Sequence, residues 1–155
     1  MATKQSAGIL VHRKKDSCFE VFLVHPGGPF WKNKDEGAWS IPKGEFTDDE
    51  DALDAAKREF LEETGFPVSG NFVKLKPVKL KSGKKIFAWA IESDVDTMNV
   101  KSNFFEMEWP PKSGKFREFP EVDRAEWFEI ERALQKINLG QASLIKELVE
   151  ILKGR

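Results

Sequence analysis

Residues 44–66, with the sequence GEFTDDEDALDAAKREFLEETGF, carry the pattern from which fold and function can be predicted. Glu59, Glu62 and Glu63 are spaced so that, on a helix, all three carboxylates project from one face. Carboxylates this close repel one another, and each like-charged pair costs a helix about 0.2–0.5 kcal/mol. A hard divalent cation such as magnesium relieves the repulsion because it prefers oxygen ligands.

Signals at both ends predict the bounds of this helix. Residues 47–50, Thr-Asp-Asp-Glu, have the form of a capping box, in which the threonine accepts from a backbone amide and the glutamate reaches back. Gly65 can adopt the left-handed conformation that stops a helix, and Pro67 prevents its continuation. The sequence therefore predicts a helix that begins after Thr47 and ends at Thr64.

The acidic helix face has two interpretations. Three glutamates on a helix are most often a solvated surface that only keeps the protein soluble. Alternatively, the carboxylates supply part of the shell of a magnesium ion that is shared with substrate phosphates. Arg58 flanks the glutamates, one turn from Asp54 and from Glu62, and we expect it to orient a carboxylate.

The full spacing favours the metal site. Gly44 is followed after five residues by Glu50, and seven residues later the chain reads Arg-Glu-Phe-Leu-Glu-Glu-Thr-Gly-Phe. This pattern resembles the Nudix box, with Phe60 at a position where an aliphatic residue is more common. The resemblance implies one Nudix domain over residues 1–155, with the box at 44–66. It also implies an α+β fold, an α/β/α sandwich in which helices cover both faces of a mixed sheet.

The Nudix resemblance further implies a hydrolase that cleaves phosphoanhydride bonds in nucleoside diphosphate-linked compounds, with magnesium or manganese as cofactor. By motif position, the metal ligands are Glu59, Glu62, Glu63 and the carbonyl of Gly44. Glu59 can instead orient or deprotonate the attacking water, because the general base varies across the family. Arg58 completes the predicted catalytic set.

Residues outside the box are candidates for substrate contacts and for a further acid. Many Nudix members place an extra acidic residue on a later loop, where Glu118 and Glu121 are candidates here, although both can equally be solvated loop charges. The pre-box segment is similar to that of asymmetric diadenosine tetraphosphate hydrolases, so Lys43 is expected to contact a phosphate. Trp39 and Phe46 are expected to stack on a base. Further aromatic residues near predicted loops are Phe30, Trp31, Trp109 and Phe116.

Composition limits the classes of partner that the protein is expected to bind. The net charge of -1 provides no field that would draw the chain onto nucleic acid, so the expected partner is a small nucleotide or polyphosphate. A single cysteine excludes an intrachain disulfide, and no apolar run reaches membrane-spanning length. We therefore expect a cytoplasmic protein without membrane contact, and the sequence identifies no protein partner.

The rest of the chain predicts strands before and after the box helix. Predicted strands lie at 9–12, 19–24, 72–80, 85–92, 104–109 and 125–128, and predicted helices at 130–137 and 143–152. Two other function classes remain open: a non-catalytic Nudix-like module that binds a nucleotide or a protein, and a plain interaction domain. Retention of all three box glutamates argues against the first, and metal-dependent activity would separate the second from an enzyme.

Overall fold

The computed structural model describes residues 4–154. The strands in that range are β1 (Gln5–Lys15), β2 (Cys18–Pro26), β3 (Lys43–Glu45), β4 (Val73–Lys74), β5 (Val78–Lys79), β6 (Lys85–Glu92), β7 (Phe104–Glu108), β8 (Phe116–Pro120) and β9 (Val122–Glu129). The helices are α1 (Ala52–Thr64), α2 (Ile130–Lys136) and α3 (Ala142–Lys153), with single 3-10 turns at Thr97–Asn99 and Leu139–Gln141. Within the described residues, no helix is long and apolar enough to cross a membrane.

Seven strands form one mixed sheet, which positions the box. The order is β4-β6-β1-β2-β9, while β3 pairs with β1 and β5 pairs with β6. β1 and β6 run parallel, and the other pairs of this sheet are antiparallel. β7 and β8 form a separate two-stranded sheet. Since β3 lies against β1 and α1 packs on both, the residues before the box helix are held beside the helix itself.

Alternating side chains of the central strands build two hydrophobic cores on opposite faces of the sheet. On one face, Leu10 packs in a cluster with Leu148 of α3. On the other face, Ile9 and Phe22 pack in a cluster with Phe60 of α1. The α+β prediction is confirmed, because a mixed sheet lies between α1 on one side and α2 with α3 on the other.

Helix α1 ends where predicted but begins later. Gly65 has φ 81° and provides the left-handed stop. The capping-box prediction is wrong, since Asp51 caps the helix by accepting a hydrogen bond from the Asp54 N–H at 3.1 Å. The Glu50 carboxylate does not reach back to the backbone because both of its oxygens bind Arg58. A tertiary contact has therefore replaced the local one.

Several strands differ from the sequence-based prediction, among them β3, which was not predicted. The single strand predicted at 72–80 is two short strands, β4 and β5, and Pro77 between them has no N–H to donate to a neighbouring strand. The sequence does not predict β8, which has no clear alternation of polar and apolar residues. Glu118 consequently lies in a strand, opposite Glu106, and not in a loop.

Candidate active site

Strand β3 places Gly44 against the middle of α1. Glu59 is only 9 % exposed, and its carboxyl group fills the space where a side chain at position 44 would lie. A Cβ atom added at Gly44 would overlap that carboxyl group. Because the φ angle of Gly44 is not in the left-handed region, glycine is required here for close approach and not for backbone conformation.

Arg58 binds three carboxylates of the box. Its Nε and Nη2 atoms donate to the two oxygens of Glu50 at 2.9 and 3.0 Å. Its Nη1 atom donates to Glu59 Oε1 at 2.8 Å and, more weakly, to Glu62 Oε1 at 3.4 Å. The bonds to Glu50 are the largest cause of a raised pKa for Arg58. Glu62 was one expected partner of Arg58; Glu50, eight residues away, was not expected.

Three carboxyl groups of the site, those of Glu59, Glu63 and Glu121, have raised pKa values. Burial, and then the charge of Glu62, raises the pKa of Glu59. Burial, followed by the charge of Glu59, raises the pKa of Glu63 to about 8, against an opposing effect of Lys43. Burial and the charge of Glu62 also raise the pKa of Glu121. A cation entering this cluster would favour the ionised carboxylates.

Hydrogen bonds of the backbone bring Glu121 to the box, whereas Glu118 stays outside. The Asn103 N–H donates to the carbonyl of Glu62 at the end of α1, at 2.8 Å. The Glu121 N–H in turn donates to the carbonyl of Asn103, also at 2.8 Å. Glu118 is exposed on β8 and does not line the cavity beside the box. Of the two candidate extra acids, the structure therefore places only Glu121 with the box glutamates.

A cavity of about 220 Å³ opens beside these acids. Its charged lining comes from Lys43, Glu63 and Glu121. Its apolar lining comes from Val24, Pro26, Trp31, Ala38, Ile41 and Val122. Its uncharged polar lining comes from Ser40, Asn138 and Gln141. The cavity thus joins a charged region, which includes Lys43, to an apolar surface suited to a planar group.

The two aromatic residues expected to stack on a base do not line this cavity. Trp39 is 1 % exposed, its Nε1 donates to Asp35 Oδ1 at 2.8 Å, and its ring packs edge-on against Phe128 with centroids 5.0 Å apart. Phe46 is half-buried and packs edge-on against Phe87 in the core beside α1. Both expectations are corrected, because each ring is already used in core packing.

The polar lining of the cavity is not identifiable from the sequence. Gln141 is 3 % exposed, and its Oε1 accepts a hydrogen bond from the Ile41 N–H at 3.1 Å. Its Nε2 donates to Ser40 Oγ at 3.0 Å, across a separation of 101 residues. Asn138 belongs to the same distant segment. None of these residues lies in a motif, so only the folded chain reveals their proximity to the box.

The donor set fits a hard divalent cation. Carboxylates and backbone carbonyls are ligand types that magnesium accepts, and Gly44 lies against the Glu59 carboxyl group. Across residues 4–154, no three acidic, histidine or cysteine side chains already form a cluster that could hold a metal. Glu59 and Glu62 both contact the guanidinium of Arg58. A bound cation would compete with Arg58 for these oxygens.

Comparison with known proteins decides the family. A family model for the NUDIX domain matches residues 2–148, nearly the whole chain. The chain belongs to the Nudix family. Together with the complete box, this membership supports assignment of the protein as a pyrophosphohydrolase. No curated protein sequence matches this Nudix chain.

Solved structures share the fold at low sequence identity. A Caenorhabditis elegans Ap4A hydrolase in a binary complex is 20% identical, with a TM-score of 0.69, and the match covers 99% of this Nudix chain and 100% of that chain. The NUDIX domain of Shewanella oneidensis NrtR, complexed with ADP ribose, is 18% identical with a TM-score of 0.69, covering 98% and 90%. The E. coli ORF135 protein is 21% identical with a TM-score of 0.57, covering 99% and 94%.

Proposed function

We propose that this Nudix protein is a magnesium-dependent hydrolase of phosphoanhydride bonds in dinucleoside polyphosphates or nucleoside triphosphates. The observation that carries the proposal is the junction of box and cavity, where Glu63 and Glu121 line the same space as Lys43. Acidic groups there suit a cation, and the adjoining basic group suits a phosphate. The expected cytoplasmic location agrees with such a substrate and remains part of the proposal.

The carbonyl of Gly44 and the carboxylates of Glu62 and Glu63 would hold the metal, and Glu59 would join them where it does not serve as the base. When bound, a divalent cation neutralises phosphate oxygens and lowers the pKa of water. Arg58 keeps Glu59 and Glu62 in fixed orientations through the hydrogen bonds of its Nη1 atom. Manganese has similar ligand preferences and is the expected replacement for magnesium.

The chain's own groups position the reacting atoms. Glu59 is the proposed base for the attacking water, because its pKa is raised and its carboxyl group lies beside Gly44. Lys43 lies in the cavity and would contact a substrate phosphate. Attack of the water on phosphorus releases a phosphorylated product and a second product that carries the bridging oxygen. The Trp39–Lys43 stretch before the box, similar to that of diadenosine tetraphosphate hydrolases, supports dinucleoside polyphosphates.

A substrate panel tests this function. Release of phosphate and nucleotide is measured with dinucleoside polyphosphates, nucleoside triphosphates, nucleotide sugars and coenzymes, each with magnesium and with a chelator. We expect magnesium-dependent cleavage of the first two classes. Preference for nucleotide sugars or coenzymes would contradict the substrate assignment. Metal and nucleotide binding without turnover of any compound would favour the non-catalytic binding module.

The structure also predicts different effects at the two candidate extra acids. Glu121→Gln is expected to lower kcat/KM about tenfold or more, because it removes a charge from the lining shared with Glu63. Glu118→Gln is the matched control, since it makes the same change on an exposed position of β8. Steady-state kinetics on the preferred compound of the panel measure both variants. Equal losses, or no loss at Glu121, would contradict the placement of that acid in the site.

A further inference from the structure

Trp31 is the aromatic residue that lines the cavity, and it is also accessible. Its side chain lies at the cavity wall with Val24, Pro26 and Val122, and the residue remains 36 % exposed. Large apolar residues left at a surface beside a pocket often mark a ligand site. Because Trp39 and Phe46 are used in core packing, Trp31 offers the available indole surface in this lining.

The loop that carries Trp31 is fixed at both of its ends. At its start, the Gly27 N–H donates to the carbonyl of Glu121 at 3.0 Å. At its end, the buried His25 ring binds the Lys34 carbonyl through Nε2 at 2.7 Å, and Asp35 binds the Trp39 indole. A loop held in this way presents its side chains with little loss of conformational entropy on binding. It also links Trp31 to the acid at position 121.

Trp31 and its neighbour Phe30 have different surroundings. The Phe30 ring packs edge-on against Trp109 next to the β7–β8 sheet, with centroids 5.6 Å apart. Phe30 does not line the cavity, although it is 57 % exposed. Trp31 lines the cavity, and the Lys34 ammonium lies 5.0 Å from its ring centroid. Exposure alone therefore does not distinguish these two aromatics, but their position relative to the cavity does.

The cavity lining also offers a hydrogen-bond donor suited to a heteroaromatic ring, the amide of Asn138. Asn138 Oδ1 accepts from the Gly140 N–H at 2.9 Å, which fixes the orientation of the amide. Within the described residues, the NH2 group of Asn138 makes no hydrogen bond of its own. Purine and pyrimidine rings carry acceptor atoms on their edges and flat apolar faces. A nucleobase therefore matches both the indole and the amide.

We propose that Trp31 is the base-binding residue of this site and stacks on the nucleobase of a substrate whose phosphates reach the box acids. The assignment rests on the proposed function for the identity of the ligand as a nucleotide. It also defines the substrate class more narrowly, since a base-free polyphosphate would lack this contact. Stacking on an aromatic side chain has little sequence preference, so adenine serves as a suitable probe.

Equilibrium binding tests the assignment without turnover. Titration calorimetry in magnesium compares a non-hydrolysable, methylene-linked analogue of adenosine triphosphate with the matching methylene-linked triphosphate that has no nucleoside. In Trp31→Ala, affinity for the nucleotide analogue is expected to fall about tenfold, with the base-free compound bound within about twofold of the wild type. Trp31→Phe should regain most of the lost affinity, and Phe30→Ala should bind both compounds as the wild type does.

Three results would overturn the assignment. Unchanged nucleotide affinity in Trp31→Ala would show that the indole does not contact the base. Equal losses for both compounds would show that Trp31 only supports the loop. If the wild type binds the nucleotide analogue no more tightly than the base-free compound, the base makes no favourable contact with the protein. Base-dependent binding without hydrolysis of any panel compound would contradict the proposed enzyme and leave the role of Trp31 intact.

Discussion

Glu63→Gln is expected to lower kcat/KM at least about a hundredfold with the fold intact, because it removes a carboxylate from the proposed metal shell but changes little volume. Glu63 lines the cavity together with Lys43 and Glu121, so the lost charge is next to the place where phosphates would bind. The measurement is steady-state hydrolysis of the preferred substrate over a range of magnesium concentrations. Near-normal hydrolysis in this variant would remove the basis of the assignment.

The stability of the Glu63→Gln protein separates chemistry from folding. Burial, with the neighbouring Glu59 carboxylate, raises the pKa of Glu63 to about 8, so the metal-free folded protein holds a proton there at neutral pH. Glutamine resembles that protonated form. Thermal unfolding in chelator at pH 7 should therefore give a Tm equal to or above that of the wild type. The matched control is Glu45→Gln, which makes the same change at an exposed position of β3 and should retain activity.

The pH dependence of stability follows from the same raised pKa. Between the ordinary pKa of a glutamate and about 8, the folded metal-free protein binds more protons at Glu63 than the unfolded chain does. The contribution of Glu63 to stability is therefore present at low pH and is lost as the pH rises through about 8. Glutamine at position 63 does not titrate and loses no stability over this range, so the Tm of the variant should exceed that of the wild type by an amount that grows as the pH rises to about 8.

Gly44→Ala is expected to reduce activity by a similarly large factor through Glu59. The added methyl group would overlap the Glu59 carboxyl group, which is the mobile end of a side chain and can move away. Its displacement would break the 2.8 Å hydrogen bond to Arg58 and remove the proposed base from its position. Misplacement of a reacting group by about 1 Å costs on the order of a hundredfold in rate. Steady-state kinetics and circular dichroism would measure activity and fold together.

A second substitution tests whether the effect of Gly44→Ala acts through Glu59. If it does, the double variant Gly44→Ala/Glu59→Gln should be little worse than Glu59→Gln alone, because both changes remove the same function. Multiplied losses in the double variant would contradict this explanation. Gly154→Ala is the matched control for glycine replacement, since the φ of Gly154 is −78° and an added Cβ atom would lie 3.6 Å from the Ile151 carbonyl oxygen, an ordinary contact distance.

Local signals in the chain were sufficient to predict the end of α1, the position of α3 and the main strands. The stop at Gly65 follows from the ability of glycine to adopt a left-handed conformation, and α3 follows from its regular apolar spacing. The start of α1 could not be predicted, because Glu50 binds Arg58 and leaves the cap to Asp51. Competition between a local and a tertiary hydrogen bond is not visible in a four-residue motif.

By itself, the sequence determined the family, the mixed α+β architecture and the identity of the box residues, because these depend on spacing along one continuous segment. Only the tertiary structure decided which of the remaining candidates join the box. It buried Trp39 in the core, left Glu118 exposed on a strand and brought Glu121 to α1 through Asn103. It also placed Trp31 in the cavity lining. Strand pairing and burial between distant segments decide these positions. The sequence does not reveal them, because a tryptophan packed in the core and a tryptophan at the surface are the same residue type.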